Sequence, residues 1–257
     1  MTETPQRRTA LVIGGTSGLG LAMGRELARA GFGVALAGRR VDVARSEAAV
    51  FPAGLGVALD VTDAGTITAA VAEVADHLGP IDVVVLNSGG PPRSVAGGLD
   101  LTAARAAAEL LLHGPIDVVN RCLPGMRERG WGRVVAIGSS AVQQPIPGLA
   151  TSSMYRAALA SYLKLLAEEC AVDGVTVNMV LPGRIATDRT AQLDAAAAER
   201  TDRSVAAVRA ASEAAIPIRR YGTPEDFAAV AAFLCTDAAR YVTGEQIRVD
   251  GGLVRAL

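Results

Sequence analysis

Seven short runs of β-branched or apolar residues recur along the chain, separated by longer, often alanine-rich stretches, and this alternation constrains the fold more than any other feature. The runs fall at 10–14, 33–37, 56–60, 81–87, 133–138, 175–181 and 246–250. Their length suits buried strands, and amphipathic patterns between them predict helices at 18–31, 41–50, 63–78, 101–129, 151–173 and 224–236. Strand, helix and strand in succession close into right-handed parallel crossovers. The expected class is α/β, a doubly wound, seven-stranded parallel sheet flanked by helices on both faces. Ligands of such sheets bind beyond the C-terminal ends of the strands. Residues 188–215 interrupt the rhythm with a charged, alanine-rich, helix-prone insertion, the expected substrate lid.

At 257 residues, half of them apolar and with no linker-like segment, the chain reads as one domain over 1–257. A net charge of -1 leaves no cationic surplus for nucleic acid or an anionic membrane surface, so a small molecule is the expected partner. No apolar segment approaches the roughly 20 residues of a membrane span. Residues 1–8 lack the apolar core of a signal peptide, and a cytoplasmic location is expected. Cys122, Cys170 and Cys235 are far apart with no CxxC pair, which argues for buried apolar fillers rather than disulfides or zinc. His77 and His113 are the only histidines, too few for a histidine metal centre and a poor basis for a Ser-His-Asp triad.

The first strand runs into Gly14, Gly15, Thr16, Ser17, Gly18, Leu19 and Gly20, followed by a helical pattern. Glycines at that turn let backbone approach a pyrophosphate, whose charge then meets a helix N-terminus. The spacing is GxxxGxG rather than GxGxxG. After the second strand the chain reads Ala37, Gly38, Arg39, Arg40, with no carboxylate to bind ribose hydroxyls. A guanidinium there suits a 2′-phosphate, so NADP is favoured, with Arg39 as the fork and Asp42 a partial counter-charge. NAD, with the arginines merely opening the next helix, is the alternative.

These motifs, with Asp60-Val61 after the third strand, Asn87-Ser88-Gly89-Gly90 after the fourth and Pro182-Gly183, Ile185 and Thr187 after the sixth, resemble the short-chain dehydrogenase/reductase family. The C-terminal segment 219–252 resembles it too, so the likeness spans essentially the whole chain. It implies a Rossmann-type fold in which all these residues line the cofactor site. It also implies that Ser139 polarises the substrate carbonyl, with Ser140 beside it as the other choice. The family's proton-donating tyrosine aligns with Ser152, its lysine with Arg156 and its relay asparagine with Leu111. The expected active site is thus atypical: a serine hydroxyl is far less acidic than a phenol, and an arginine keeps the charge of lysine without relaying a proton.

Tyr155, three residues past Ser152 and near its helix face, is a second proton donor to consider, the alternative being a core or interface tyrosine. His113 is a third, the alternative being helix packing. Arg93, Arg184 and Arg189 are candidates to receive a carboxylate or phosphate, or are plain surface charge. With the loops 89–93 and 143–147, the chain resembles a divergent branch called ketoacyl-carrier-protein-reductase-like. The implied function is NAD(P)-dependent hydride transfer to or from a small carbonyl, imine or alkene. The alternative is a homologue that binds nucleotide or metabolite without net redox. The resemblance implies a homotetramer or homodimer.

Overall fold

Short runs of valine, isoleucine, leucine and alanine become strands because both of their faces are covered, and every residue of β1 (Thr9–Ile13), β2 (Gly33–Gly38) and β5 (Gly132–Ile137) is buried. The remaining strands are β3 (Gly54–Ala58), β4 (Ile81–Leu86), β6 (Val175–Pro182) and β7 (Gln246–Val249). All pair in parallel, in the order β3-β2-β1-β4-β5-β6-β7. The order reverses between β1 and β4, which opens a crevice at their C-terminal ends. The computed structural model describes residues 7–256, so most of the segment read as too polar for a signal peptide, residues 1–6, lies outside the described residues.

The helices are α1 (Gly18–Arg29), α2 (Val41–Ala48), α3 (Ala64–Leu78), α4 (Leu101–Ala108), α5 (Gly114–Glu128), α6 (Ala150–Cys170), α7 (Asp188–Thr201), α8 (Val205–Ala215) and α9 (Pro224–Phe233). Alternate strand residues feed two cores. Leu11, Val84, Val134 and Val177 pack with Ile67, Val118, Met126, Leu163 and Leu166 on one face. Val12, Leu36, Val85 and Val135 pack with Met23, Leu27 and Phe227 on the other. Each such aliphatic or aromatic side chain, fully buried, contributes about 1.5–3 kcal/mol.

Two expected helices differ in detail. The stretch read as one helix over 101–129 widens into a π turn at Glu109–His113 between α4 and α5. Pro115 supplies the cause, since it lacks an N–H and its ring crowds the carbonyl four residues back, at Leu111. The 188–215 insertion is two helices, parted where Asp202 adopts a left-handed φ of 50° and Ser204 caps α8. Strand ends moved by one or two residues; β3 stops at Ala58, so Asp60 and Val61 lie in the following turn. Among the described residues no helix is long and apolar enough to cross a membrane, and no cluster of three metal-ligating side chains occurs. All three cysteines are buried, and burial pushes the Cys122 and Cys235 thiols up to about 12.

Candidate active site

The turn after β1 is packed so closely that glycine is required at two points. Gly14 has a φ of 61°, and a Cβ there would lie 2.6 Å from Asn87 Nδ2, which donates to the Gly14 carbonyl at 3.1 Å. A Cβ on Gly20 would lie 2.2 Å from the same carbonyl oxygen. Ser17 opens α1 without a side-chain cap, so the first N–H groups and the positive end of the helix dipole are left free at this loop, an arrangement that suits an anion. Arg40 lies against the same loop, donating from Nη2 to Thr16 Oγ1 at 3.0 Å and Ser17 Oγ at 3.1 Å. The fork against the loop is therefore Arg40 rather than Arg39. Arg39 instead adds its charge near Asp60, whose carboxyl is held below its ordinary range chiefly by hydrogen bonds from Thr62. Among the described residues Asp42 makes no ion pair with either arginine.

The far wall comes from the end of β6. Gly183 N donates to Val249 O at 3.0 Å, Ala186 N to Gly222 O at 2.8 Å and Gly222 N to Arg184 O at 2.9 Å, which holds 183–187 in an extended path. Thr187 caps α7, and a Cβ on Gly18 would lie 3.7 Å from Thr187 Cγ2, so the loops after β1 and β6 stand within contact distance. Ile185 is buried and Leu19 partly buried, both against the second core. Val61 braces α5: a Cβ on Gly114 would fall 1.9 Å from its carbonyl oxygen.

Arg156 ties α6 to the ends of two strands. Its Nη1 donates to the carbonyls of Ile137 at 3.0 Å and Gly138 at 3.4 Å, and its Nη2 reaches Ser88 O at 3.5 Å. Burial first, and Arg189 second, hold its pKa down at about 10, so it remains a cation at neutral pH. Ser139 follows directly after Gly138; it is part-exposed and its Oγ accepts from Ala141 N at 3.1 Å, whereas Ser140 is buried. Ser152 lies one turn before Arg156 on the same helix face. Among the described residues neither Ser152 nor Tyr155 has a side-chain hydrogen bond, and both are part-exposed. The sequence reading passed over Ser153, whose Oγ is buried without a partner, an arrangement that costs about 1–3 kcal/mol. No periodic pattern distinguishes it from Ser152.

The loop after β4 is strapped to the start of α6. Ser94 N donates to Gly148 O and Ala150 N to Ser94 O, both at 3.1 Å, and the hydroxyls of Ser94 and Thr151 meet at 2.7 Å. Leu111 is buried within the π turn. His113 faces solvent with Glu109 2.9 Å from its Nδ1, both side chains more than half exposed, so it is corrected from a candidate proton donor to a surface pair. Arg184 is also corrected: it is taken up by the buried Asp194 at 2.8 Å, which accepts from the Tyr221 hydroxyl at 2.9 Å as well. Arg93 donates to Pro147 O at 3.3 Å. Arg189 lies over the loop after β4, where a Cβ on Gly90 would come 3.0 Å from its Nη2.

A family model described as enoyl-(acyl carrier protein) reductase matches residues 14–254, nearly the whole of this architecture. The chain belongs to the short-chain dehydrogenase/reductase family. It is 34% identical over 259 residues to a putative ketoacyl reductase of the monensin polyketide synthase from Streptomyces virginiae, covering 98% of this chain and 99% of that one. The structure of an actinorhodin polyketide ketoreductase variant with NADPH superposes with a TM-score of 0.92 at 32% identity, covering 97% of this chain and 98% of that one. L-sorbose reductase from Gluconobacter frateurii, complexed with NADPH and L-sorbose, superposes with a TM-score of 0.91 at 28% identity over the full length of both chains.

Proposed function

We propose that the chain is an NADP(H)-dependent oxidoreductase that transfers a hydride between the nicotinamide and a small carbonyl, imine or activated alkene through an atypical active site. The observation that carries this reading is the cradle after β1, where the uncapped start of α1 and the Arg40 guanidinium converge on a turn that only glycine fits. The reductase relatives solved with NADPH support the choice of cofactor. Gly14, Thr16, Ser17, Gly18 and Gly20 hold the pyrophosphate and Arg40 holds the 2′-phosphate. Asp60, Val61, Asn87, Ser88 and Gly89 border the adenosine and ribose, and Pro182, Gly183 and Thr187 border the nicotinamide. NADPH, when bound, supplies the hydride.

The chain's own residues then position and neutralise. Ser139 orients the substrate's acceptor atom by a hydrogen bond, and Arg156 offers positive charge beside it without exchanging a proton. Ser152 hydrogen-bonds substrate and is too weak an acid to protonate it unaided. The proton comes from Tyr155 or from water. The helices α7 and α8 serve as the lid, latched to the body at Asp194. The exposed Leu165 on α6, 62% accessible, suits a homodimer or homotetramer interface, and a monomer by light scattering would argue against it.

NADPH consumption over a panel of carbonyls, imines and activated alkenes tests the reading. Turnover of at least one class is expected, and measurable NADPH affinity with no turnover of any member counts against it. Tyr155→Phe separates the donors: a loss of about 10²-fold or more assigns the proton to the phenol, and an unchanged rate assigns it to water. A non-redox binding role is the competing reading, favoured by the buried Leu111 in the π turn where the family keeps a relay asparagine. Stoichiometric, substrate-dependent NADPH oxidation eliminates it.

A further inference from the structure

Two arginines approach the loop after β4. Arg156 reaches the Ser88 carbonyl at 3.5 Å, and Arg189, in the first turn of α7, lies against Gly90, two residues further on. Arg189 is close enough that its charge, after burial, depresses the pKa of Arg156. Among the described residues neither guanidinium takes part in an ion pair. The acids nearby are otherwise engaged: Asp194 holds Arg184 and Tyr221, and Asp60 holds Thr62. Asp188, next to Arg189 in sequence, is exposed and makes no ion pair among the described residues.

Arg156 is half-buried and Arg189 exposed at the rim; two like charges brought together there repel, and a group carrying negative oxygen atoms removes that cost. The planar donor fork of a guanidinium matches a carboxylate or phosphate in two parallel hydrogen bonds. Arg156 is itself anchored by the carbonyls of Ile137 and Gly138, so its position does not depend on a ligand. The phosphate seat after β1 has its own cation in Arg40, bound to Thr16 and Ser17, and the Arg156–Arg189 pair stands on a different loop, beside Ser139.

Resting on the reading of this cleft as the active site, we infer that the Arg156–Arg189 pair receives an anionic oxygen group of the substrate, a carboxylate or phosphate, so that the chain acts on oxoacids or their phosphorylated counterparts in preference to neutral ketones. The same chemistry is offered by the pyrophosphate of the cofactor, and the two sources are separable. Protein saturated with NADPH is titrated calorimetrically with pyruvate, acetoacetate, 4-oxopentanoate and inorganic phosphate, and with the methyl ester of each oxoacid. At least one oxoacid is expected to bind about tenfold more tightly than its ester, the scale of one charge-assisted hydrogen-bonded pair. Arg189→Gln removes that preference while NADPH affinity stays within about twofold, and Arg189→Lys restores part of it.

Oxoacids that bind no more tightly than their esters, throughout the series, overturn the inference. So does an Arg189→Gln variant whose NADPH affinity falls as far as its oxoacid affinity, which assigns the pair to the cofactor. Failure of the redox reading has a different signature: NADPH binds and oxoacids bind, yet no hydride moves. If NADPH itself does not bind, the same titration on the cofactor-free protein still reads the anion seat directly.

Discussion

At the N-terminal ends of the strands, Arg8, Arg127, Arg129 and Arg133 each face an aspartate, whereas at the C-terminal ends Arg40, Arg156 and Arg189 face none among the described residues. The first set is built for permanence. The guanidinium groups of Arg8 at 3.6 Å and Arg133 at 4.1 Å both lie over the Trp131 ring, whose indole N–H donates to Asp237 at 2.7 Å. Asp237 in turn pairs with Arg8 at 2.9 Å and Arg133 at 3.5 Å, and its carboxyl is held below the usual range, chiefly by Trp131. At the other end Arg40 is held by hydroxyls and Arg156 by carbonyls, which fix their position and leave their charge uncancelled, while Arg189 is exposed against Gly90. One residue type thus stands in two settings, told apart by the presence or absence of an acidic partner, and the proposed function assigns the unpaired set to a ligand.

Substitutions at the two ends sharpen that contrast. The largest effect is expected from Arg156→Gln, which removes the anchored cation beside Ser139. NADPH-dependent turnover should fall by about 10- to 100-fold, the scale of a hydrogen-bonded charge, with Arg156→Lys recovering a substantial part. Steady-state kinetics on both variants checks this. A glutamine variant with wild-type kinetics breaks the comparison, since the uncancelled charge would then have no use. Arg40→Gln is expected to act more narrowly, lowering the ratio of NADPH to NADH affinity about tenfold while leaving NADH binding nearly unchanged. Calorimetry with the two cofactors measures it. The smallest effect belongs to the paired end: Asp237→Asn should leave kinetics unaltered and lower stability by about 1 kcal/mol, because the aspartate is substantially exposed. By thermal unfolding that corresponds to a drop of about 2–4 °C.

The sheet was legible because its strands are short, apolar on both faces and separated by amphipathic stretches. Each of the seven appears within two residues of its expected limits. The glycine turn after β1 was legible for a similar reason, since glycines at 14 and 20 record a backbone approach that admits no side chain. What escaped was information carried by side-chain direction. Arg39 and Arg40 are indistinguishable by composition, yet only Arg40 comes to the loop, because the chain leaves β2 and enters α2 with that residue as its cap. His113 and Arg184 looked available for chemistry until the partners Glu109, one helical turn away, and Asp194, in a separate element, were seen beside them. The π turn at Glu109–His113 had a signal in Pro115, which the periodic reading of a long helix overrode. Ser153, Ser152 and Tyr155 share one helical stretch, and which of their hydroxyls meets substrate depends on rotations that no spacing records.

The central claim is that the end of the sheet bearing uncancelled cations receives NADPH. Calorimetric titration of the whole chain with NADPH and, separately, NADH tests it most directly. The account predicts one NADPH per chain, bound at least about tenfold more tightly than NADH through the contacts of Arg40. No measurable NADPH binding would contradict it, and equal affinity for the two cofactors would remove the role assigned to Arg40.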